Sequence, residues 1–180
     1  ITKLPLPLFC IQNSCQATTG LLLLLCIQNK FQEDTPMHKL DDVLYTGVAT
    51  ATGGRGGKAE SDDGRLKTDL SVPKGLGGDD GPGTNPEQLF AAGYSACFLG
   101  ALKLVASQQK VTLPKETSIT AEIGIGDNDK GEGFNISATL TVNAPDVDHE
   151  VLKPLVEKAH QVCPYSNATR GNVDVELVCA

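Results

Sequence analysis

The chain has 180 residues, 40% of them hydrophobic and 21% charged, with a net charge of −7. That is enough length and apolar content for one globular domain with its own core. The acidic balance argues against a nucleic-acid or anionic-membrane partner, and with no Trp and only 4% aromatic residues a base-stacking surface is not expected either.

Residues 1–36 read differently from the rest. Their charges, Lys3 and Lys30 against Glu33 and Asp34, sum to zero. They hold Cys10, Cys15 and Cys26, a Leu21–Leu25 run, and a repeated Cys-Ile-Gln-Asn at Cys10–Asn13 and Cys26–Asn29. Leu21–Ile27 is too short to span a bilayer. The segment lacks a small-residue cleavage site for a secretory signal and the arginines of a mitochondrial presequence. Met37 is the one methionine, and strand patterning starts just after it. The expectation is an N-terminal extension over 1–36, non-native or disordered, a domain over 37–180, and a cytoplasmic location.

Val43–Thr52, rich in β-branched and small residues, predicts a strand. Gly53-Gly54-Arg55-Gly56-Gly57 breaks it with a flexible turn, and Asp63-Gly64 marks a hairpin after Lys58–Ser61. Leu66, Thr68, Leu70 and Val72 alternate with polar residues, which predicts a one-sided strand, and a Gly/Pro/Asp loop follows to Thr84. Asn85 then offers a helix N-cap, Pro86 suits the first helical position, and Gln88 can complete a capping box. Leu89–Ala106 is apolar nearly all round, with Lys103 its only charge, and predicts a helix buried on most sides with Cys97 at its middle.

Ile119, Ala121, Ile123 and Ile125 share one strand face, and Phe134, Ile136, Ala138, Leu140 and Val142 share another, joined by a polar hairpin loop. Val151, Leu155, Ala159 and Val162 predict a helical stripe after the cap Asp148. Pro154 is expected to kink that helix or delay its start, and Pro164 to end it near Cys163. Val173, Val175 and Leu177 predict a last strand. The order βββ-α-ββ-α-β with short hairpins implies an α+β fold built on antiparallel sheet around a long buried central helix.

Two thiols carry the candidate chemistry. A thiol attacks as its thiolate, which needs nearby positive charge or donors. Cys97 lies in an apolar helix, which alone would leave it inert, so a functional Cys97 requires an imported cation. Arg55, on its glycine turn, is the best candidate, and Glu87 could orient its guanidinium. Ten residues of helix separate Glu87 from Cys97, or roughly 15 Å of rise. Either the site is built across a dimer interface, with Glu87 or Arg55 from the partner, or Arg55 bridges a long way. Cys163, at a helix C-terminus, should be the poorer thiolate and suits attack on an oxidised Cys97. His160, one turn earlier, could take its proton, although a helix-surface role is the plainer reading.

Other signals are weak. Gly75–Asp80 does not match a phosphate-binding glycine loop, Asp127–Gly131 lacks the closing acid of a calcium loop, and the N-terminal cysteines lack zinc spacing. No bound metal or cofactor is expected. Cys179 reads as a bystander.

Three long words carry a family resemblance: Ala49–Arg55, Thr84–Phe98 and Ala159–Asn172. Over Met37–Val178 the chain resembles the OsmC/Ohr family, in its organic hydroperoxide resistance branch. The resemblance implies a thiol-dependent peroxidase, an organic hydroperoxide reductase, in which Cys97 is the peroxidatic cysteine and Cys163 the resolving one. It also implies Arg55 as the thiolate-stabilising arginine and Glu87 as its carboxylate partner. It further implies an intertwined homodimer with sites at the subunit interface, a lipoylated protein or dihydrolipoamide as external dithiol reductant, and a Cys97–Cys163 disulfide in the cycle. A redox sensor that oxidises once, a cysteine hydrolase using His160, and a structural thiol pair are the rivals.

Overall fold

The computed structural model describes residues 39–180. The expectations for residues 1–36 lie outside that range. Contacts divide the chain into a unit up to Thr46 and a unit from Gly47 to Ala180. Residues 39–46 carry no helix or strand. All the elements below belong to the second unit.

The first sheet is a meander of β1 (Ala49–Thr52), β2 (Lys58–Ser61) and β3 (Lys67–Asp69), all antiparallel. It is shorter than its sequence suggests. Val43–Val48 is not strand, because β2 is only four residues long and is fully paired once Ala49 faces Ser61. The β3 pattern likewise shortens to Lys67–Asp69, with Leu70 continuing only as a single bridge to Thr84. Gly53 and Gly54 take positive φ of 72° and 61°, which a glycine adopts without strain, and so turn the chain sharply between β1 and β2.

Helix α1 spans Pro86–Gln108. Asn85 caps it, its Oδ1 accepting the Gln88 N–H at 2.9 Å. The capping box is only half made, because the Gln88 carboxamide accepts from the Thr84 hydroxyl instead. One face of α1 buries Tyr94, Phe98, Ala101, Leu102, Val105 and Ala106. The opposite stripe, Ala92, Ala96, Gly100 and Leu104, is exposed. The expectation of a helix buried on most sides is therefore not met within one chain: a second sheet and the two helices that follow it, His149–Val162 and Pro164–Thr169, leave this stripe exposed.

That second sheet pairs β4 (Ser118–Asp127) antiparallel with β5 (Phe134–Asn143), and β5 parallel with β6 (Asp174–Cys179). The parallel pair corrects the expectation of antiparallel sheet throughout. β5 and β6 are joined through α2 (His149–Val162) and α3 (Pro164–Thr169), and a helical crossover is what parallel neighbours need. In register, Ala121 faces Leu140 and Leu140 faces Leu177, so these side chains share one side of the sheet. Helix α1 lies over β4 and α2 over β6, and the core forms between them.

Helix α2 starts at His149 despite Pro154, with Asp148 Oδ1 accepting the Glu150 N–H at 2.9 Å. Its buried residues are Leu152, Leu155, Val156 and Ala159, while Val151 and Val162 are half-exposed. The apolar stripe is thus rotated from the expected one, following the 3.6-residue period toward Cys163. Leu140, fully buried at the sheet centre, is the sharpest test of this core. Leu140→Ala should lower stability by about 2–5 kcal/mol, whereas Asn85→Ala should lower it by about 1 kcal/mol. Urea midpoints at unchanged slope would show that order, and the reverse order would contradict the packing described.

Candidate active site

The fold brings together two cysteines that are 66 residues apart in sequence. Cys163 Sγ lies 3.7 Å from Cys97 Sγ, and both thiols are free. Cys163 is fully buried and Cys97 partly exposed. The backbone at Cys163 explains the approach. Pro164 bars the preceding residue from helical geometry, and Cys163 is extended at φ −68° and ψ 124°. Its N–H still donates to the Ala159 carbonyl at 2.9 Å, while its own carbonyl accepts the Asn167 N–H at 2.9 Å. Cys163 therefore ends α2 and starts α3. The sequence reading took it only for a helix end, because a six-residue helix after proline leaves no periodic signal. Pro164 at the first helical position of α3 was the available clue.

Burial pushes the Cys97 thiol up from its ordinary range, the backbone N–H of Tyr165 pulls it back, and the Cys163 sulfur pushes it up again. Among the described residues no arginine hydrogen-bonds its sulfur. An aromatic cluster lines this part of α1. Tyr165 stacks on Tyr94, with centroids 5.6 Å apart at 23°, and meets Phe90 edge-on at 5.6 Å. Gly93 makes room for it: a Cβ there would lie 2.7 Å from the Tyr165 hydroxyl. Below the ring, the Tyr94 hydroxyl lies 3.0 Å from Ser166 Oγ and 3.3 Å from Thr169 Oγ1. The sequence reading assigned no role to Tyr94, Tyr165, Ser166 or Thr169. The regular spacing of Phe90, Tyr94 and Phe98 was the signal that could have drawn attention to them.

Arg55 and Glu87 form a second pair. Arg55 Nη2 donates to Glu87 Oε2 at 2.5 Å within one chain. Within the chain the Gly53–Gly54 turn folds the arginine back to the first turn of α1. Glu87 is held below the usual carboxylate range mainly by the hydrogen bond from Arg55, against the opposing effect of burial. The Glu87 side chain is 15% exposed and that of Arg55 39%, so the pair is only partly screened from water. An open groove of about 430 Å³ adjoins it, lined by Glu87 together with Pro73, Leu76, Ala91, Ile123 and Ile125.

Among the described residues neither remaining candidate hydrogen-bonds the two thiols. His160 is partly buried, its Nδ1 without a partner, and its carbonyl accepts from Arg170. Burial and then the Arg170 charge lower its pKa, so the ring is neutral near pH 7. Cys179 sits in a separate pocket between α2 and β6, its thiol pushed up by burial.

Comparison with known proteins bears on this geometry. The sequence model of the family described as OsmC-like protein matches residues 77–178. An organic hydroperoxide resistance protein of Xanthomonas axonopodis pv. citri is 58% identical over 140 residues, covering 78% of this chain and 97% of that protein. The fold is similar to the crystal structure of the organic hydroperoxide resistance protein OsmC of Legionella pneumophila, with a TM-score of 0.72 and 47% identity over 77% of this chain and 99% of that one. It is also similar to that of OhrB of Bacillus subtilis, with a TM-score of 0.70 and 46% identity over 77% of this chain and 100% of that one. The chain belongs to the OsmC-like family, in its organic hydroperoxide resistance branch.

Proposed function

We propose that the chain is a thiol-dependent peroxidase that reduces organic hydroperoxides, including fatty-acid hydroperoxides, to alcohols. The observation that carries this reading is the approach of two free thiols to 3.7 Å at the junction of three helices. The Cys97 thiolate attacks the distal peroxide oxygen. An S–O bond forms, the O–O bond breaks, the alcohol leaves with a proton, and Cys97 becomes a sulfenic acid. Cys163 then attacks that sulfur, water leaves, and a Cys97–Cys163 disulfide results. A dithiol returns the pair to thiols by exchange, dihydrolipoamide or a lipoylated protein being the proposed donor. The aromatic and aliphatic surroundings of Cys97 favour an alkyl chain over hydrogen peroxide.

The thiolate still needs its cation. Within one chain burial opposes ionisation of Cys97, and the Arg55–Glu87 pair sits near the far end of α1. The exposed stripe Ala92, Ala96, Gly100 and Leu104 on the same helix supports a homodimer, because small apolar residues allow a second helix to approach closely. In that dimer Arg55, already oriented by Glu87 of its own chain, acts on the partner's Cys97. No bound cofactor is needed, and the reducing pool of the cytoplasm suits the cycle.

Mass spectrometry after one turnover with an alkyl hydroperoxide should show the Cys97–Cys163 bond, and Cys97→Ser should abolish peroxide consumption. Intact consumption by Cys97→Ser would overturn the reading, and so would oxidation of wild type that stops after one equivalent despite excess dihydrolipoamide. The pH dependence gives a second test. The alkylation rate of Cys97 should rise with pH at a higher midpoint in Arg55→Gln than in wild type, since removing the cation leaves burial unopposed. An unchanged midpoint would separate Arg55 from the thiol. Glu87 titrates below its ordinary range, so its contribution to the ion pair is complete above about pH 4.3 and is lost as pH falls through its depressed value. Glu87→Gln should lower kcat/KM by about tenfold across neutral pH, measured with tert-butyl hydroperoxide. No loss would remove Glu87 from the site.

A further inference from the structure

We propose that the buried hydroxyl cluster of Tyr94, Ser166 and Thr169 is a positioning device that sets how fast Cys163 resolves oxidised Cys97. The inference rests on the peroxidase reading and concerns its second chemical step. Helices α1 and α3 are bridged twice, three residues apart on each side. One bridge is Cys97 to Cys163, and the other is Tyr94 to Ser166 at 3.0 Å. Residues three apart are neighbours on a helix surface, so the two bridges run side by side.

The cluster is fully enclosed: Tyr94 and Ser166 are 0% exposed and Thr169 is 4%. One placement of protons satisfies every hydroxyl. Ser166 donates to Tyr94, Tyr94 donates to Thr169, and Thr169 donates to the Tyr165 carbonyl 3.0 Å away. The chain of bonds thus ends on the Tyr165 carbonyl, two residues beyond Cys163. Apolar side chains of the same shape would fill this volume without any hydroxyl to satisfy. Directional bonds instead specify how α3 sits on α1.

That register matters because the sulfurs must close from 3.7 Å to about 2.0 Å for a disulfide. Cys163 has no long flexible loop with which to search, since helix begins on both sides of it. A small loosening of α3 therefore moves Cys163 away from Cys97, and misplacement on the ångström scale is enough to slow an intramolecular attack. Tyr94, Ser166 and Thr169 are positioning residues, because the hydrogen bonds of their hydroxyls go to one another and to backbone carbonyls and not to the sulfurs.

The test separates the two steps in the full-length chain. Tyr94→Phe and Thr169→Val keep shape and lose a hydroxyl, while Thr169→Ser keeps the hydroxyl. After a pulse of alkyl hydroperoxide, dimedone trapping reads the Cys97 sulfenic acid and mass spectrometry reads the disulfide. In Tyr94→Phe and Thr169→Val the sulfenic acid should form within about threefold of the wild-type rate, accumulate, and close to disulfide about tenfold more slowly. Thr169→Ser should restore wild-type closure. A parallel arm uses diamide, an azo oxidant that takes up two electrons and two protons and drives the same disulfide without a peroxide. Slow closure there in a protein whose wild type consumes no hydroperoxide would remove the peroxidase reading and leave the positioning role supported. Wild-type closure rates in both hydroxyl-less variants, or an equal slowing of both steps, would overturn the proposal.

Discussion

The approach of Cys163 to Cys97 depends on a single backbone constraint, the proline that follows Cys163. Because Pro164 keeps Cys163 out of helical geometry, α2 stops there and α3 leaves in a new direction, and the side chain at the joint points at the middle of α1. Much of the core serves this crossing. Leu152, Leu155, Val156 and Ala159 press α2 onto α1 and the sheet, and Tyr94 and Phe98 fill the space beside the thiols. The long crossover between parallel β5 and β6 is what allows a residue near the C-terminus to reach a helix formed much earlier in the chain.

The same packing that joins the sulfurs withholds charge from them. A thiol among aromatic and aliphatic side chains resists ionisation, and the helix that carries Cys97 provides no cation near it. The ionic part of the site is assembled elsewhere, where the Gly53–Gly54 turn lays Arg55 on Glu87 at the start of α1. One chain thus holds its thiol pair and its ion pair nearly three helical turns apart along α1, roughly 15 Å of rise. Both lie on a helix whose apolar stripe through Ala96 and Gly100 is uncovered in the single chain. On the proposed reading these are one problem with one solution: the surface that needs covering and the thiol that needs charge are both supplied by a second copy.

What the sequence disclosed and what it hid divide along local and non-local lines. Asn85 with Pro86 marked the start of α1, and the alternation of β4 and β5 marked their shared face, because caps and periodicity are properties of neighbouring residues. The parallel pairing of β6 and the truncation of β1 depend on which strand is available as partner, which no local pattern records. Helix α3 was too short to show a period. The rotated stripe of α2 was misjudged because Val151 and Val162 are apolar yet half-exposed. The pairing of Arg55 with Glu87 was legible in the residue types, whereas the meeting of Cys97 with Cys163 was implied only by the family resemblance. The Arg55–Glu87 ion pair closes within one chain.

The proposed division of the site between chains leads to a complementation measurement. Cys97→Ser and Arg55→Gln chains, each inactive as a homodimer, are co-expressed and the mixed dimers isolated. If Arg55 of one chain serves Cys97 of the other, one of the two sites in each mixed dimer regains an intact thiol pair and an intact arginine. Peroxide consumption should then return to about half the wild-type rate per dimer. Mixed dimers as inactive as their parents would contradict the shared site and return the source of the Cys97 charge to its own chain.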